Sequence, residues 1–258
     1  TDANPKKYIS ALVSEDCWQA TPGKVVDLVR NLGIAAGGTV MEDCRVLEAC
    51  REGKYTSVLV QTHDKKYVEY RTEHFVNALG SGAGKLCDSM GIDAGLYPVR
   101  HQAFITRRLP MLGKHGTNLD MLIDRQDYKG FSAVYGQQIA YTGQIIGCAS
   151  PKLDAMRIDK NLKVNTKAFL EIVSEMFSEW IPDLAGVGIQ AVWAGYYTEP
   201  RYIVDPELGL FVGMRGHGFM LSQYIARMYV DKLLGRPVPE YFEKLKLNGP
   251  GLSEKAFK

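Results

Sequence analysis

Apolar residues Val25, Val29 and Leu32 recur at helical spacing behind Thr21-Pro22, an N-cap and first-turn pair, and Gly37-Gly38 closes the run. Two strands are predicted next, around Cys44–Ala49 and Thr56–Thr62, turning at Glu52-Gly53-Lys54, and the alternation over Tyr67–Arg71 predicts a third. His74–Leu79 reads as a short apolar strand running into Gly80-Ser81-Gly82-Ala83-Gly84, with a short helix over Lys85–Gly91. From Pro98 to Gly147 the chain is β-rich: Ala103–Arg107, Met121–Asp124, Phe131–Tyr135 and Ile139–Ile145 are separated by turn residues. Pro151–Asn165 is polar and reads as a loop. Phe169, Ile172, Val173, Met176 and Trp180 form the clearest helical stripe, stopped by Pro182. Strands follow at Ile189–Ala194 and Leu210–Gly213. A last amphipathic helix carries Leu221, Ile225, Met228, Tyr229 and Leu233 and ends at Gly235-Arg236-Pro237. The tail after Pro239 is polar and reads as extended. The pattern predicts a mixed α/β fold with no internal repeat.

At 258 residues the chain can bury a sizeable core. Its 31 basic and 29 acidic residues leave a net charge of +2 without long runs of one sign, so electrostatic binding of nucleic acid is not indicated. The five cysteines, Cys17, Cys44, Cys50, Cys87 and Cys148, form no CxxC pair, which argues against a disulfide scaffold or zinc cluster and for a reducing compartment. No apolar run approaches the roughly 20 residues of a transmembrane helix. The N-terminus shows neither a signal peptide nor an Arg-rich transit sequence.

Two glycine-rich loops carry the candidate chemistry. Gly80-Ser81-Gly82-Ala83-Gly84-Lys85 fails as a Walker loop, with Leu79 and Leu86 at the required glycine and hydroxyl positions. It fails as a dinucleotide fingerprint too, with Lys85 in the last glycine's place. A plain strand-to-helix turn and a backbone contact to a ligand both fit it. At Gly213-Met214-Arg215-Gly216-His217-Gly218-Phe219 a strand runs into a glycine loop and a helix starts directly after. Unpaired amides and the helix dipole would stabilise negative charge there. A tight turn with a structural His217 fits equally. Trp193, Tyr196, Tyr197 and Tyr202 could wall a pocket or simply form core and rim. Arg201 and Arg215 could fork onto a substrate carboxylate or pair at the surface. Ser81 and Ser132 lack a nucleophile-elbow context, and His63, His74, His101 and His115 lack ligand spacing, so neither a triad nor a metal site is expected.

In this order the pieces resemble the FAD-dependent oxidoreductases of the D-amino-acid oxidase, sarcosine oxidase and glycine oxidase superfamily, over roughly Ala11 to Gly235. Cys44-Arg45-Val46 looks like the family's adenine-contacting strand. Val76-Asn77-Ala78-Leu79-Gly80 is similar to its N-A-x-G segment near the phosphate and ribose. Pro98-Val99-Arg100-His101-Gln102 is similar to the P-V-R-x-Q strand that opens the substrate sheet, and Trp193-Ala194-Gly195 to its W-A-G stretch. Gly213 to Phe219 partly matches the closing G-x-G-x-x-G-H-G loop.

The resemblance implies FAD held by Val46, Asn77, Ala78, Gly80, Gly213, Gly216, His217, Gly218 and Phe219. It implies that Tyr196 or Tyr197 orients an amine or amino-acid substrate and that Arg201 holds its carboxylate. No cysteine lies beyond Cys148, so the flavin would be non-covalent, or lost. The family's N-terminal strand–GxGxxG–helix unit is not in this sequence, and Arg201 to Glu207 replaces the usual stretch before the closing loop. The chain is therefore expected to need a second polypeptide, or a missing segment, that carries the Rossmann half. Its expected parts are 1–97, associated with the FAD domain; 98–190, a substrate-type sheet; and 191–258, a cofactor clamp and tail. Trp193 to Tyr197 is also similar to a mitochondrial branch linked to respiratory complex I. That likeness implies the matrix side rather than the cytoplasm, a large membrane-complex partner, and an alternative role as a non-catalytic accessory or assembly subunit.

Overall fold

The structure, a computed structural model, describes residues 18–113, 118–124, 130–139, 142–151 and 166–251. Helix α1 (Pro22–Ala35) begins behind Thr21 as its N-terminal Pro predicts. Strands β1 (Arg45–Glu52), β2 (Tyr55–Gln61) and β3 (Tyr67–Thr72) form an antiparallel meander in the order β1-β2-β3. Strand β2 alternates buried and half-buried positions, and Val58 and Val60 join Ala49 and Leu86 in one apolar cluster. Helix α2 (Ala83–Ser89) begins two residues earlier than its spacing suggests.

The predicted strand at His74–Leu79 is a correction. Only Asn77 pairs, in a single parallel bridge to Leu210. Thr72 and His74 bend the chain before it, the Thr72 hydroxyl donating to His74 O and accepting from His74 N. A 3-10 turn at Gly80–Gly82 ends it.

Strands β4 (Tyr97–Thr106), β5 (Leu122–Asp124), β6 (Phe131–Ile139) and β7 (Gln144–Pro151) share a sheet ordered β5-β6-β7-β4-β8, where β8 is Ile189–Glu199. The predicted strand Ile139–Ile145 is in fact the end of β6, a turn and the start of β7. Thr142 donates its hydroxyl to Ile139 O and accepts from Gln144 N, which reverses the chain there. Helix α3 (Thr166–Trp180) lays Phe169, Ile172, Val173, Met176 and Phe177 on Phe104, Val134, Ile145 and Ala149 of this sheet. Trp180 fits beside Gly136, where a Cβ would lie 3.4 Å from the indole, and its Nε1 donates to buried Asp124 at 3.1 Å. Apart from Pro151, the last residue of β7, the predicted loop Pro151–Asn165 lies outside the described residues.

Strand β9 (Ile203–Asp205), which the polar neighbours Arg201 and Glu207 disguised, pairs antiparallel with β10 (Leu210–Val212), and all three of its residues are buried. Helix α4 (Gly218–Leu233) follows the glycine loop. The tail is not extended: Glu240–Leu245 is a 3-10 helix whose Phe242 and Leu245, three apart on one side, are buried with Tyr202, Val204 and Met228. Two compact units result. One contains Pro98–Tyr197; the other combines the described residues before Pro98 with those from Thr198 onward.

Candidate functional site

In the discontinuous unit, β10 delivers the chain to Gly213 at φ +72, where a Cβ would sit 1.9 Å from the Arg201 carbonyl oxygen. Only glycine permits that approach. A 3-10 turn, Arg215–His217, leads into α4, whose sixteen residues start without any side-chain cap. No side chain therefore caps the first-turn amides of α4, and the positive end of its dipole lies at this loop. Gly216, His217 and Phe219 are exposed around that opening, and Gly218 is half-buried. Two contacts hold the loop. Arg215, in the left-handed region at φ +48, donates from Nε to Glu199 at 2.6 Å. Tyr202 lies with its hydroxyl 2.6 Å from His217 Nδ1; with the hydroxyl donating, the ring proton resides on Nε2. Arg201 does not present a free fork: it donates to the carbonyls of Gly249, at 3.1 Å, and of Leu247, so it ties the strand to the tail.

The segment before Gly80 belongs to the same unit. Asn77 is buried, and its amide nitrogen reaches Ala83 O at 3.1 Å and Cys87 Sγ at 3.5 Å while its oxygen accepts from Leu79 N at 3.2 Å. Its side chain thus shapes the backbone, while Val76, Ala78, Leu79 and Gly80 around it are exposed. Val46 packs half-buried on the cluster of Ala49, Val58, Val60 and Leu86. Replacing Asn77 with alanine strands the Leu79 amide and removes two buried contacts. The expected loss is about 2 kcal/mol, read as a lower urea midpoint with no flavin present. An unchanged midpoint would reserve Asn77 for ligand contact.

The sheet unit assembles a second group. Register sets Ala103 opposite Cys148 and Cys148 opposite Tyr135, so these share one sheet face with His101, two residues before Ala103. The Tyr197 ring stacks on His101 with centroids 3.8 Å apart and planes 31° apart, which places Tyr197 on that face too. Alternation turns Tyr196 the other way, toward the face on which Val192 packs under α3. Of the two tyrosines only Tyr197 stands on the face away from the core, with Trp193 beside it along the strand. The Tyr135 hydroxyl bonds to Cys148 and Tyr197, and burial first, then those neighbours, raise it far above the ordinary phenol range. Burial pushes the Cys148 thiol up to about 11 and the His101 imidazole down to about 4. Nδ1 of His101 is enclosed and has no hydrogen-bond partner among the described residues. At neutral pH the face therefore carries polar groups without charge.

His101, Tyr135 and Cys148 were not among the expected site residues. The period-two alternation of β4, β6 and β7 carried the signal, but it became readable only once register aligned the strands. Among the described residues no group of three or more His, Cys, Asp or Glu is placed to hold a metal ion, and no helix is long and apolar enough to cross a membrane.

Comparison with known proteins adds a family. The profile described as FAD dependent oxidoreductase (DAO) matches residues 1–232. No curated protein sequence matches the chain. Among solved structures, glycine oxidase from Bacillus cereus ATCC 14579 aligns at a TM-score of 0.62 and 18% identity, over 84% of this chain and 57% of its own. Iminodiacetate oxidase (IdaA) from Chelativorans sp. BNC1 aligns at 0.64 and 15%, over 88% and 58%. Fructosamine oxidase (Amadoriase II) from Aspergillus fumigatus aligns at 0.57 and 17%, over 79% and 51%. The chain thus spans little more than half the length of the structures it matches, and at these identities the likeness is one of fold.

Proposed function

Because the chain belongs to the DAO family of FAD-dependent oxidoreductases, we propose that it forms the ring-clamping and substrate-facing part of a flavin-dependent amine or amino-acid oxidase. The observation that carries this reading is the uncapped start of α4 behind Gly213, with His217 fixed by Tyr202. Such a site fits the electron-rich carbonyl edge of an isoalloxazine ring: backbone amides and the Nε2 proton of His217 are donors, and the nearby Glu199 carboxylate is bonded to Arg215. Gly216, His217, Gly218 and Phe219 would hold that edge, and the backbone at Ala78 and Gly80 would face the ribose and phosphates. Asn77 and Val46 act beneath that surface, one by bonding the backbone into place and the other by filling the cluster between β1 and α2. When bound, FAD supplies a two-electron acceptor for hydride from a substrate C–H bond.

On the substrate side, Tyr197 is the orienting hydroxyl, and the uncharged face around His101, Tyr135 and Cys148 suits an amine nitrogen in its neutral form. With the Arg201 fork occupied, recognition of a substrate carboxylate is not assigned to it. The pyrophosphate-binding strand–GxGxxG–helix unit comes from outside these residues. The first test is on native protein: a purified preparation should release non-covalent FAD on denaturation. A colourless preparation that co-migrates with a large mitochondrial membrane complex would instead mark an accessory or assembly subunit, and fractionation of the same material decides between matrix and cytoplasm.

Tyr197→Phe should raise KM for a small amine such as glycine or iminodiacetate about three- to tenfold, the worth of one hydrogen bond, while Tyr196→Phe leaves it unchanged. Equal effects from both would remove Tyr197 from the substrate.

A further inference from the structure

Strand β2 turns Thr56, Val58 and Val60 to the same face, so a hydroxyl stands in line with two core valines. Val58 and Val60 join the apolar cluster with Ala49 and Leu86. Thr56 is only 4% exposed, yet its side chain makes no hydrogen bond among the described residues. On α4, Tyr229 is also 4% exposed. Its ring packs edge-on against Phe211, and its hydroxyl has no hydrogen-bond partner among the described residues. Both side chains line one cavity of about 100 Å³, and neither oxygen is sealed from solvent. Buried hydroxyls are costly without a partner, so two that open onto the same hollow point to something that fills it.

Charge and size decide what fits. Register sets Arg51 of β1 directly opposite Thr56, so the two share a face, and Arg51 also lines the cavity. Its guanidinium donates from Nη1 to Glu207 O at 2.5 Å, on the turn between β9 and β10, and has no carboxylate partner among the described residues. The acidic side chains nearby are already engaged. Lys54 holds Glu73 and Lys246 holds Glu207, each at 2.8 Å, and Asp205 accepts from the amides of Glu207 and Leu208. Burial first, then Asp205, raises the Tyr229 phenol to about 12 against the pull of Arg51, so at neutral pH it keeps a proton to donate. The exposed His74 imidazole completes the polar lining. A volume of about 100 Å³ equals about three waters at roughly 30 Å³ each, which is too small for a nucleotide.

We propose that this cavity binds a small oxyanion, a carboxylate or a phosphate group, held by the Arg51 guanidinium and the Thr56 and Tyr229 hydroxyls. The anion joins the β1–β2 meander, the β9–β10 turn and α4, which reach the cavity from distant parts of the sequence. Water would satisfy the two hydroxyls equally well. The guanidinium without a carboxylate is what favours an anion over it, and the same charge disfavours a metal cation. Neither glycine loop lines the cavity, so the site does not depend on the flavin reading.

The test follows amide chemical shifts of the purified, nitrogen-15-labelled protein while sodium acetate or sodium phosphate replaces sodium chloride at constant ionic strength. The amides of Thr56, Glu207 and Tyr229 should shift together and saturate, with a Kd on the order of 1 mM. A response to acetate alone marks a carboxylate ligand, to phosphate alone a phosphate ligand, and to both a site that reads only their shared oxygens. Thr56→Val and Tyr229→Phe each remove one bond to a charged group and keep the packing, so each should weaken binding about tenfold or more. Tyr224→Phe, which removes a hydroxyl of the same helix that bonds Tyr241 instead, should bind as the wild type does. Melts without added anion check the fold of each variant, and where one melts early the location of the wild-type shifts decides. No saturable shift with either oxyanion, shifts centred elsewhere, or undiminished binding in folded Thr56→Val and Tyr229→Phe would leave the cavity to water and overturn the proposal.

Discussion

Replacing Gly213 with valine is expected to destabilise the discontinuous unit by on the order of 4 kcal/mol or more, and to abolish whatever the loop binds. Two effects add. At φ +72 a residue with a Cβ carries the left-handed penalty of roughly 1–2 kcal/mol, and more for a β-branched one. The larger effect is the collision. The Cβ would fall 1.9 Å from the Arg201 carbonyl oxygen, a backbone atom that cannot swing away, because the Arg201 guanidinium is itself bonded to the Gly249 and Leu247 carbonyls. Relief would have to separate the strand end from the tail and move Tyr202, hence His217. Gly80 supplies the contrast: at φ +55 nothing lies within 4 Å of its added Cβ, so Gly80→Ala should show only the conformational penalty of about 1 kcal/mol. Urea midpoints of the two variants measure the difference, and similar midpoints would show that the close approach at Gly213 does not exist in solution.

These two glycines also show how far sequence carries. Both loops were recognisable as glycine-rich strand-to-helix turns, and α1, α3 and α4 stood out from their spacing because three or more apolar positions repeat in each. What sequence could not supply was long-range: that Gly213 is squeezed by Arg201, or that Asn77 spends its side chain on Ala83, Cys87 and Leu79. Strand β9 was missed because Ile203 to Asp205 is a three-residue strand buried on every position, too short to show a period. Phe242 and Leu245 were overlooked because two apolar residues in a charged tail read as solvent-exposed until a core is seen to receive them. The site suffered in the same way. Adjacent tyrosines at 196 and 197 looked interchangeable, although a strand must send them to opposite faces. His101 looked like one more scattered histidine, because the residues that share its sheet face, Tyr135, Cys148 and Tyr197, come from three other strands.

That buried histidine makes the second large prediction: the sheet unit should lose about 3 kcal/mol of stability between pH 6.5 and pH 4, with His101 as the cause. Its folded-state value, about 4, lies below the ordinary 6.5 because burial disfavours the imidazolium. Above pH 6.5 both folded and unfolded chains hold it neutral, and stability is complete. As pH falls through 6.5 the unfolded chain takes up a proton that the folded chain refuses, so each further pH unit removes about 1.4 kcal/mol until the folded imidazole also protonates near pH 4. The groups that share its sheet face do not blur this window: Tyr135 and Cys148 titrate far above it, and Tyr197 meets the imidazole as a stacked ring. His101→Phe keeps the ring contact with Tyr197 and removes the titration. Carboxylates elsewhere titrate in both proteins, so the difference between the two pH profiles, followed through Trp180 fluorescence in urea, isolates the histidine. The wild type should converge downward on the variant as pH falls, and parallel profiles would place the imidazole in solvent, where it could not form the uncharged face proposed for an amine.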